Sequence, residues 1–263
     1  MREQVSFGLP KPGRALIGAM IAVTAIWVLF ASAINWGSAG QEIFLWVVGS
    51  DDILRGEVWR LFTTFLVHQP TGPGSVGHLL TTLFGLYFLG ASLEERWGPR
   101  RFLVFLLGSG VFAAALQVVF GWLIPTLHQP AFFGALGVID AIAVAWALSF
   151  RGQQVRLFFV LPISGFGMIL FVLAMNVLYV LAMEQRREGL VTPFGGMLAG
   201  FLFAEGSPVR RRYLEWRLGR LQARAAALSG AGKGSPARGR GRPAHLQVIE
   251  GGQSKKPDKS MLN

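Results

Sequence analysis

The chain has 263 residues, 52% of them hydrophobic and only 15% charged, with a mean hydropathy of +0.47; soluble domains carry about 25% charged residues, so the composition excludes an ordinary soluble fold and points to the membrane. It contains no cysteine, which excludes a disulfide framework, a thiolate metal site and a cysteine nucleophile. The net charge of +11 gathers at one end, with 13 Lys and Arg against 3 Asp and Glu from Ser207 onward, and 12 against 11 before it.

Crossing a hydrocarbon layer about 30 Å thick takes about 20 apolar residues in a helix. Read in order, the runs that qualify are Ala15–Ile34, Val76–Leu93, Phe102–Ile124, Ala131–Phe150, Gly165–Met183 and a short Gly-rich Leu190–Ala204. The segment "LFFVLPIS" before the fifth is expected to turn at the interface at Pro162 and Ser164. The sixth can span only if it is packed inside a bundle. A loop of about 40 residues joins the first two spans and carries an interfacial apolar piece, "EIFLWVVGS". The architecture expected is an all-α membrane protein, a six-transmembrane-helix bundle with a structured loop between helices 1 and 2.

Lys11 and Arg14 precede the first span. Arg96, Arg100 and Arg101 follow the second, Arg151 and Arg156 follow the fourth, and the basic tail follows the sixth. The other side has an uncharged loop near His128 and a mixed one, "EQRREG". The positive-inside rule therefore places both termini in the cytoplasm, as in a multi-pass protein of a bacterial plasma or inner membrane. The divisions expected are a cytoplasmic N-terminus over 1–14, a membrane domain over 15–206 and a tail over 207–263. A cleaved signal peptide ending near Ala31–Ala33 is a rival for the first span, although its apolar stretch is longer than a usual signal core.

The tail opens as a basic amphipathic helix, "RRRYLEWRLGRLQARAAAL", and continues as a Gly-, Pro- and Arg-rich segment that cannot bury a core. Its expected partner is anionic lipid, at about 1 kcal/mol for each basic group near the surface. Nucleic acid is the weaker candidate, because little aromatic residue is interleaved to stack bases.

Several motifs carry chemistry or packing. Gly196 and Gly200 form a Gly-x-x-x-Gly pair that lets a neighbouring backbone come close. In the fourth span Gly137, Ala141 and Ala145 recur every four residues, a matching small stripe, so the fourth and sixth spans are expected to cross in close contact. Asp140 stands in the middle of the fourth span, where an ionised carboxylate costs at least about 2.5–3.5 kcal/mol. It needs a partner, and Thr192, His78, Asn176 or water can supply one. It is either a polar handle in a cavity, an acid that fixes helix register, or part of a proton or ion path. An aspartyl protease needs a second carboxylate, and Glu205 lies too near the cytoplasmic end.

The order of "GEVWRLFTTFLVHQ", "HLLTTLFGLYFLGASLEERWGPRRF", "GALG" at Gly134–Gly137 and "PFGGMLAG" at Pro193–Gly200 resembles the rhomboid superfamily of intramembrane serine proteases and their inactive relatives. The resemblance covers about Trp59 to Ala204. It implies a nucleophilic serine in the fourth span within reach of a histidine base in the sixth. At those positions this chain has Leu136 and Pro193, and where the family has an oxyanion-holding Asn it has Thr82; the family's second-span His is kept as His78. An isobutyl group cannot attack a carbonyl, and proline has no nitrogen able to accept a proton. Ser75, Ser92 and Ser109 are poorly placed to substitute.

Trp59 and Arg60 are an interfacial Trp and a snorkelling Arg, or else they order the loop and perturb local lipid, as suggested for inactive members. His78 is expected to hydrogen-bond at the top of the second span, or to line a degenerate cavity with Asp140, Thr192 and Asn176. Gly134, Gly137, Gly196 and Gly200 are the packing set. Neither a metal nor a cofactor is expected. The function implied is a pseudoprotease that binds transmembrane segments of client proteins or thins the bilayer. The alternatives are an active protease using other residues and a small transporter or channel using Asp140.

Overall fold

The structure, a computed structural model, describes residues 11–150, 152, 154–157, 161–182 and 187–231. Arg151, the end of the fifth expected span at Met183, Glu184 to Arg186 and the Arg-Gly part of the tail lie outside the described residues. The elements run α1 (Arg14–Trp36), α2 (Gly40–Val47), a 3-10 turn (Asp51–Arg55), α3 (Arg60–Thr63), α4 (Ser75–Trp97) and α5 (Pro99–Leu123). After a 3-10 turn (Pro125–Leu127) come α6 (Leu136–Ser149), β1 (Gln154–Leu157), β2 (Leu161–Ser164), α7 (Gly165–Leu181), α8 (Thr192–Phe203) and α9 (Pro208–Ala231).

The apolar runs became helices, and the architecture is a helical membrane bundle. α1, α4 and α5 are long and apolar enough to cross a bilayer. α6, α7 and α8 have 14, 17 and 12 residues. At 1.5 Å per residue, α6 and α8 extend about 21 and 18 Å, less than the hydrocarbon thickness. Such helices are tolerated where protein and not lipid surrounds their ends. Among the described residues the strands are those of the antiparallel hairpin β1–β2, in which Arg156 pairs with Pro162; Pro162 therefore lies within a strand instead of marking a bare turn.

The fourth span differs most from its expected range, because residues 131–135 are not helical. Phe132 and Gly49 exchange both backbone hydrogen bonds at 2.9 Å. Gly134 has φ +120°, a left-handed conformation in which glycine is unstrained, and its N–H donates to the Thr64 carbonyl at 2.9 Å. The helix therefore begins only at Leu136, with its head below the level the sequence suggests.

α6 is the hub. It packs on α4, α5, α7 and α8, and nearly all its side chains are buried. A helix apolar on every side belongs inside a bundle. Its closest neighbour is α8. A Cβ on Gly196 would overlap the Gly137 carbonyl oxygen, and one on Gly200 would come 2.5 Å from that of Ala141. A Cβ on Gly137 would in turn lie 2.8 Å from the Thr192 carbonyl. Backbone touches backbone along this seam.

The loop after α1 is built on the C-terminus of α2. That end leaves carbonyls without helical partners. Arg60, only 5% exposed, donates to the Leu45 and Val48 carbonyls at 2.6 and 2.8 Å. Trp59 donates its indole N–H to the Trp46 carbonyl at 3.2 Å, and Thr63 its hydroxyl to the Val47 carbonyl at 2.5 Å. Four successive carbonyls are thus capped by one short segment. Arg60 also pairs with Glu57 at 2.5 Å and lies 3.6 Å from Asp52. The Ser50 hydroxyl, then Arg55 and Arg60, hold the Asp52 carboxyl below the ordinary carboxylate value. Trp59 and Arg60 therefore cap a helix; Arg60 is buried and does not snorkel.

At the opposite end of α1, Glu94 from α4 accepts the Ala15 and Leu16 N–H groups at 2.9 and 3.0 Å, capping the helix from outside its own sequence. α7 is peripheral: of its side chains only Met168 and Asn176 are buried. The chain divides into one compact unit ending at Glu215 and another beginning at Trp216. In α9 the arginines and apolar residues interleave around the axis, so the amphipathic segregation expected of it is weak.

The seam makes a direct demand on sequence. Gly196→Val is expected to cost at least about 3 kcal/mol, measured by thermal unfolding in detergent, because two backbones must separate to admit the side chain. Gly18→Ala, whose new Cβ meets nothing within 4 Å, should change stability by no more than about 1 kcal/mol.

Candidate functional site

The head of α6 lies beneath three converging segments. The residues before it are tied to the first loop through Gly49 and Thr64, whose hydroxyl donates to the Phe132 carbonyl at 2.7 Å. On the other side the Phe133 N–H donates to the Arg187 carbonyl at 2.7 Å, and Arg187 in turn bonds the Gln69 side chain. This stitching brings Glu188 over the first turn of α6.

Glu188 occupies the centre of the site. One carboxylate oxygen accepts the Leu136 N–H at 3.2 Å, and the other is bonded by His78 Nε2. The tautomer of His78 follows from its second contact. The Gln69 backbone N–H donates to His78 Nδ1 at 3.2 Å, so the neutral ring carries its proton on Nε2 and donates it to Glu188. The carboxylate presses so closely on Gly134 that a Cβ there would overlap it. A backbone N–H and an imidazole N–H thus hold the two oxygens of one carboxylate. Here the anion is supplied by the chain itself.

Behind His78 lies a second histidine, with ring centroids 5.0 Å apart. His68 is fully buried in the segment joining α3 to α4. Its Nδ1 faces the Leu66 carbonyl at 3.3 Å, which requires a proton there, so Nε2 accepts the Thr82 hydroxyl at 2.9 Å. Burial pushes its pKa down to about 4. A hydroxyl donating to a histidine has the form of a nucleophile and its base. Thr82 is only 2% exposed and the ring is a weak base, so the pair is enclosed and poorly activated. No serine bonds a histidine among the described residues; Ser109 donates to the Leu106 carbonyl of its own helix at 3.0 Å.

Asp140 and its partner form a separate cluster. Asn176 of α7 donates to Asp140 at 2.7 Å and lies 3.8 Å from the Met197 sulfur. Both polar residues are buried. A third polar group sits at the head of α8, where Gln117 accepts the Val191 N–H at 2.7 Å and donates to the Leu127 carbonyl at 3.0 Å. The Thr192 hydroxyl is buried there without a hydrogen-bond partner among the described residues.

The expectation that His78, Asp140, Thr192 and Asn176 line one cavity is therefore corrected. His78 belongs to the Glu188 cluster, Asp140 pairs with Asn176 alone of its candidates, and Thr192 lies toward Gln117 and Gly189. One turn of α6 between Leu136 and Asp140 separates the first two groups. Among the described residues no group of three His, Asp or Glu is placed to hold a metal.

The sequence matches the rhomboid domain family over residues 55–206, more than half of the chain. The chain belongs to the rhomboid family. It is 26% identical over 135 residues to rhomboid protease GluP of Bacillus subtilis (strain 168), which is 51% of this chain and 26% of that protein. It is 33% identical over 94 residues to Inactive RHOMBOID-like protein 8 of Arabidopsis thaliana, which is 35% of this chain and 25% of that protein. The chain thus spans about a quarter of the length of these curated relatives, and they include both a protease and an inactive protein.

In this rhomboid-family bundle the two positions that would carry nucleophile and base adjoin one another. Leu136 precedes Gly137 and Pro193 follows Thr192, and the Gly137–Thr192 contact is the top of the seam. Leu136 and Pro193 therefore flank the two residues that meet at the top of the seam. Three contributors escaped the sequence reading. Gln117 was findable, being a lone amide in an apolar span. Glu188 had only its place in a charged loop five residues before Pro193, and His68 only the turn-like "HQP".

His68 gives the fold a pH dependence. Unfolded, its ring takes up a proton near 6.5; folded, only near 4. Between these values the unfolded chain binds more protons, so native stability declines as pH falls from about 6.5 to 4 and levels off below. The contribution is about 3 kcal/mol. Thermal unfolding across this window should show that decline, and His68→Gln, though less stable at neutral pH, should show a flatter profile.

Proposed function

We propose that this protein is a non-catalytic rhomboid that recognises transmembrane segments of client proteins. The observation that carries the reading is Glu188, which holds the Leu136 N–H and His78 with its own carboxylate while Leu136 and Pro193 stand at the reacting positions. A substrate carbonyl would have to displace a charged, hydrogen-bonded group and would then meet no nucleophile. The peripheral helix α7, joined to the hub by few buried side chains, offers a side from which a client helix can approach. Following the charge pattern, both termini face the cytoplasm of a bacterium and the basic tail rests on anionic lipid. Local thinning of the bilayer is consistent with the shortness of α6 and α8.

The second reading, proteolysis by unusual residues, has the Thr82–His68 hydrogen bond in its favour. Two measurements separate the readings. The full chain in detergent, offered a rhomboid-type transmembrane substrate beside an active rhomboid as control, is expected to cleave nothing. Photocrosslinkers placed on α4 and α7 in native membranes are expected to capture single-pass proteins. Cleavage that Thr82→Val abolishes would establish the second reading and remove the first.

A further inference from the structure

Between α1 and α5 the bundle leaves an apolar groove of about 390 Å³. Its walls include Gly18 of α1 and Leu103 and Leu107 of α5, and its deeper lining includes Phe65 and Ala135. The glycine keeps the α1 wall low, for a Cβ on Gly18 would meet nothing within 4 Å. Along α1 the lining runs from Arg14 to Val23. Nine residue steps of 1.5 Å make this about 14 Å, which is the depth of a single leaflet of a 30 Å hydrocarbon layer. The deep end is closed by Phe65, whose ring sits where a Cβ on Gly110, midway along α5, would have to go.

The shallow end is basic. Arg14 lines it directly. Arg100 precedes Leu103 by three residues and Leu107 by seven, so it lies on the same face of α5. Neither arginine makes an ion pair among the described residues, whereas their neighbours Arg96 and Arg101 share Glu205. The acid that touches this end of α1, Glu94, has its two oxygens taken by the Ala15 and Leu16 amides.

The geometry points to a binding site for one anionic phospholipid, its acyl chain in the α1–α5 groove and its phosphate between Arg14 and Arg100. The depth decides between occupants. A transmembrane helix of a client or of a second copy needs the full thickness of the bilayer, and this groove closes at the midplane. A lipid tail of one leaflet meets an apolar wall along its length and two cations at its head. Its basic end is at Arg14, at the other end of the groove from Ala135, and the site does not depend on whether the protein is a protease.

The test uses the full chain reconstituted in phosphatidylcholine vesicles containing phosphatidylglycerol with a photoreactive group on its acyl chain, with adducts mapped by mass spectrometry. Mapping separates this site from any lipid on the basic tail. Adducts are expected to concentrate on the groove-facing residues of α1 and α5, and to be weaker when the photoreactive lipid is phosphatidylcholine. Replacing both arginines, Arg14→Gln and Arg100→Gln, is expected to lower groove labelling about tenfold while leaving the unfolding temperature unchanged. Gly18→Leu, which fills open space, should exclude the chain while the arginines remain. Adducts spread evenly over the outward face of α1, including Ile21 and Leu29, would overturn the proposal. So would equal labelling by the two lipids, or a groove crosslinked to protein in place of lipid.

Discussion

The backbone contact between α6 and α8 governs the rest of the structure. Gly196 lies against the Gly137 carbonyl and Gly200 against that of Ala141, so two helices meet with no side chain between them. Inside a bilayer there is little hydrophobic gain in bringing helices together, and dispersion between closely fitting surfaces takes its place. This contact fixes the height of α8 relative to α6 and sets residues 136 and 193 beside its upper end. It also explains how helices of 14 and 12 residues can stand in a membrane, since they face one another, and α6 packs on α4 and α5 while α8 packs on α5, instead of facing lipid.

Packing and chemistry are separable here. The seam needs only glycine and alanine, and asks nothing of the side chains at 136 and 193. A leucine at the head of a buried helix adds apolar contact, and Pro193 suits the first turn of α8, where its missing N–H would have had no helical acceptor. Leu136 and Pro193 are thus compatible with the fold at no evident cost. Two polar groups at the head of α6 need partners, the Leu136 N–H and the imidazole of His78. Glu188 accepts from both of these partly buried donors.

The six apolar runs and the small-residue seam were legible in the sequence because each rests on local pattern: hydropathy and a four-residue repeat. The start of α6 was not. Residues 131–135 read as a continuation of an apolar helix, and only the pairing of Phe132 with Gly49, more than 80 residues earlier, turns them into extended chain. The same limit applies to Arg60. The sequence leaves open whether it snorkels or orders the loop, and its partners, main-chain carbonyls of α2, are displayed by no sequence pattern. Glu188 and His78 are 110 residues apart, and their meeting is a property of the assembled loops.

These long-range contacts form one connected structure above the seam. Arg60 and Trp59 cap α2; the turn that follows α2 presents Gly49 to Phe132; Thr64, just past α3, holds the Phe132 carbonyl; and Gly134 donates back to Thr64. The segment so held is the one that carries Leu136 into place beneath Glu188. Removing the Arg60 guanidinium would free buried carbonyls at the end of α2, and the disturbance would reach the head of α6 through Gly49 and Thr64 without passing through the membrane helices. The Trp-Arg motif therefore belongs to the site, although neither residue touches it. A loop that only perturbed lipid would have no need of a buried arginine aimed at two carbonyls of a single helix end.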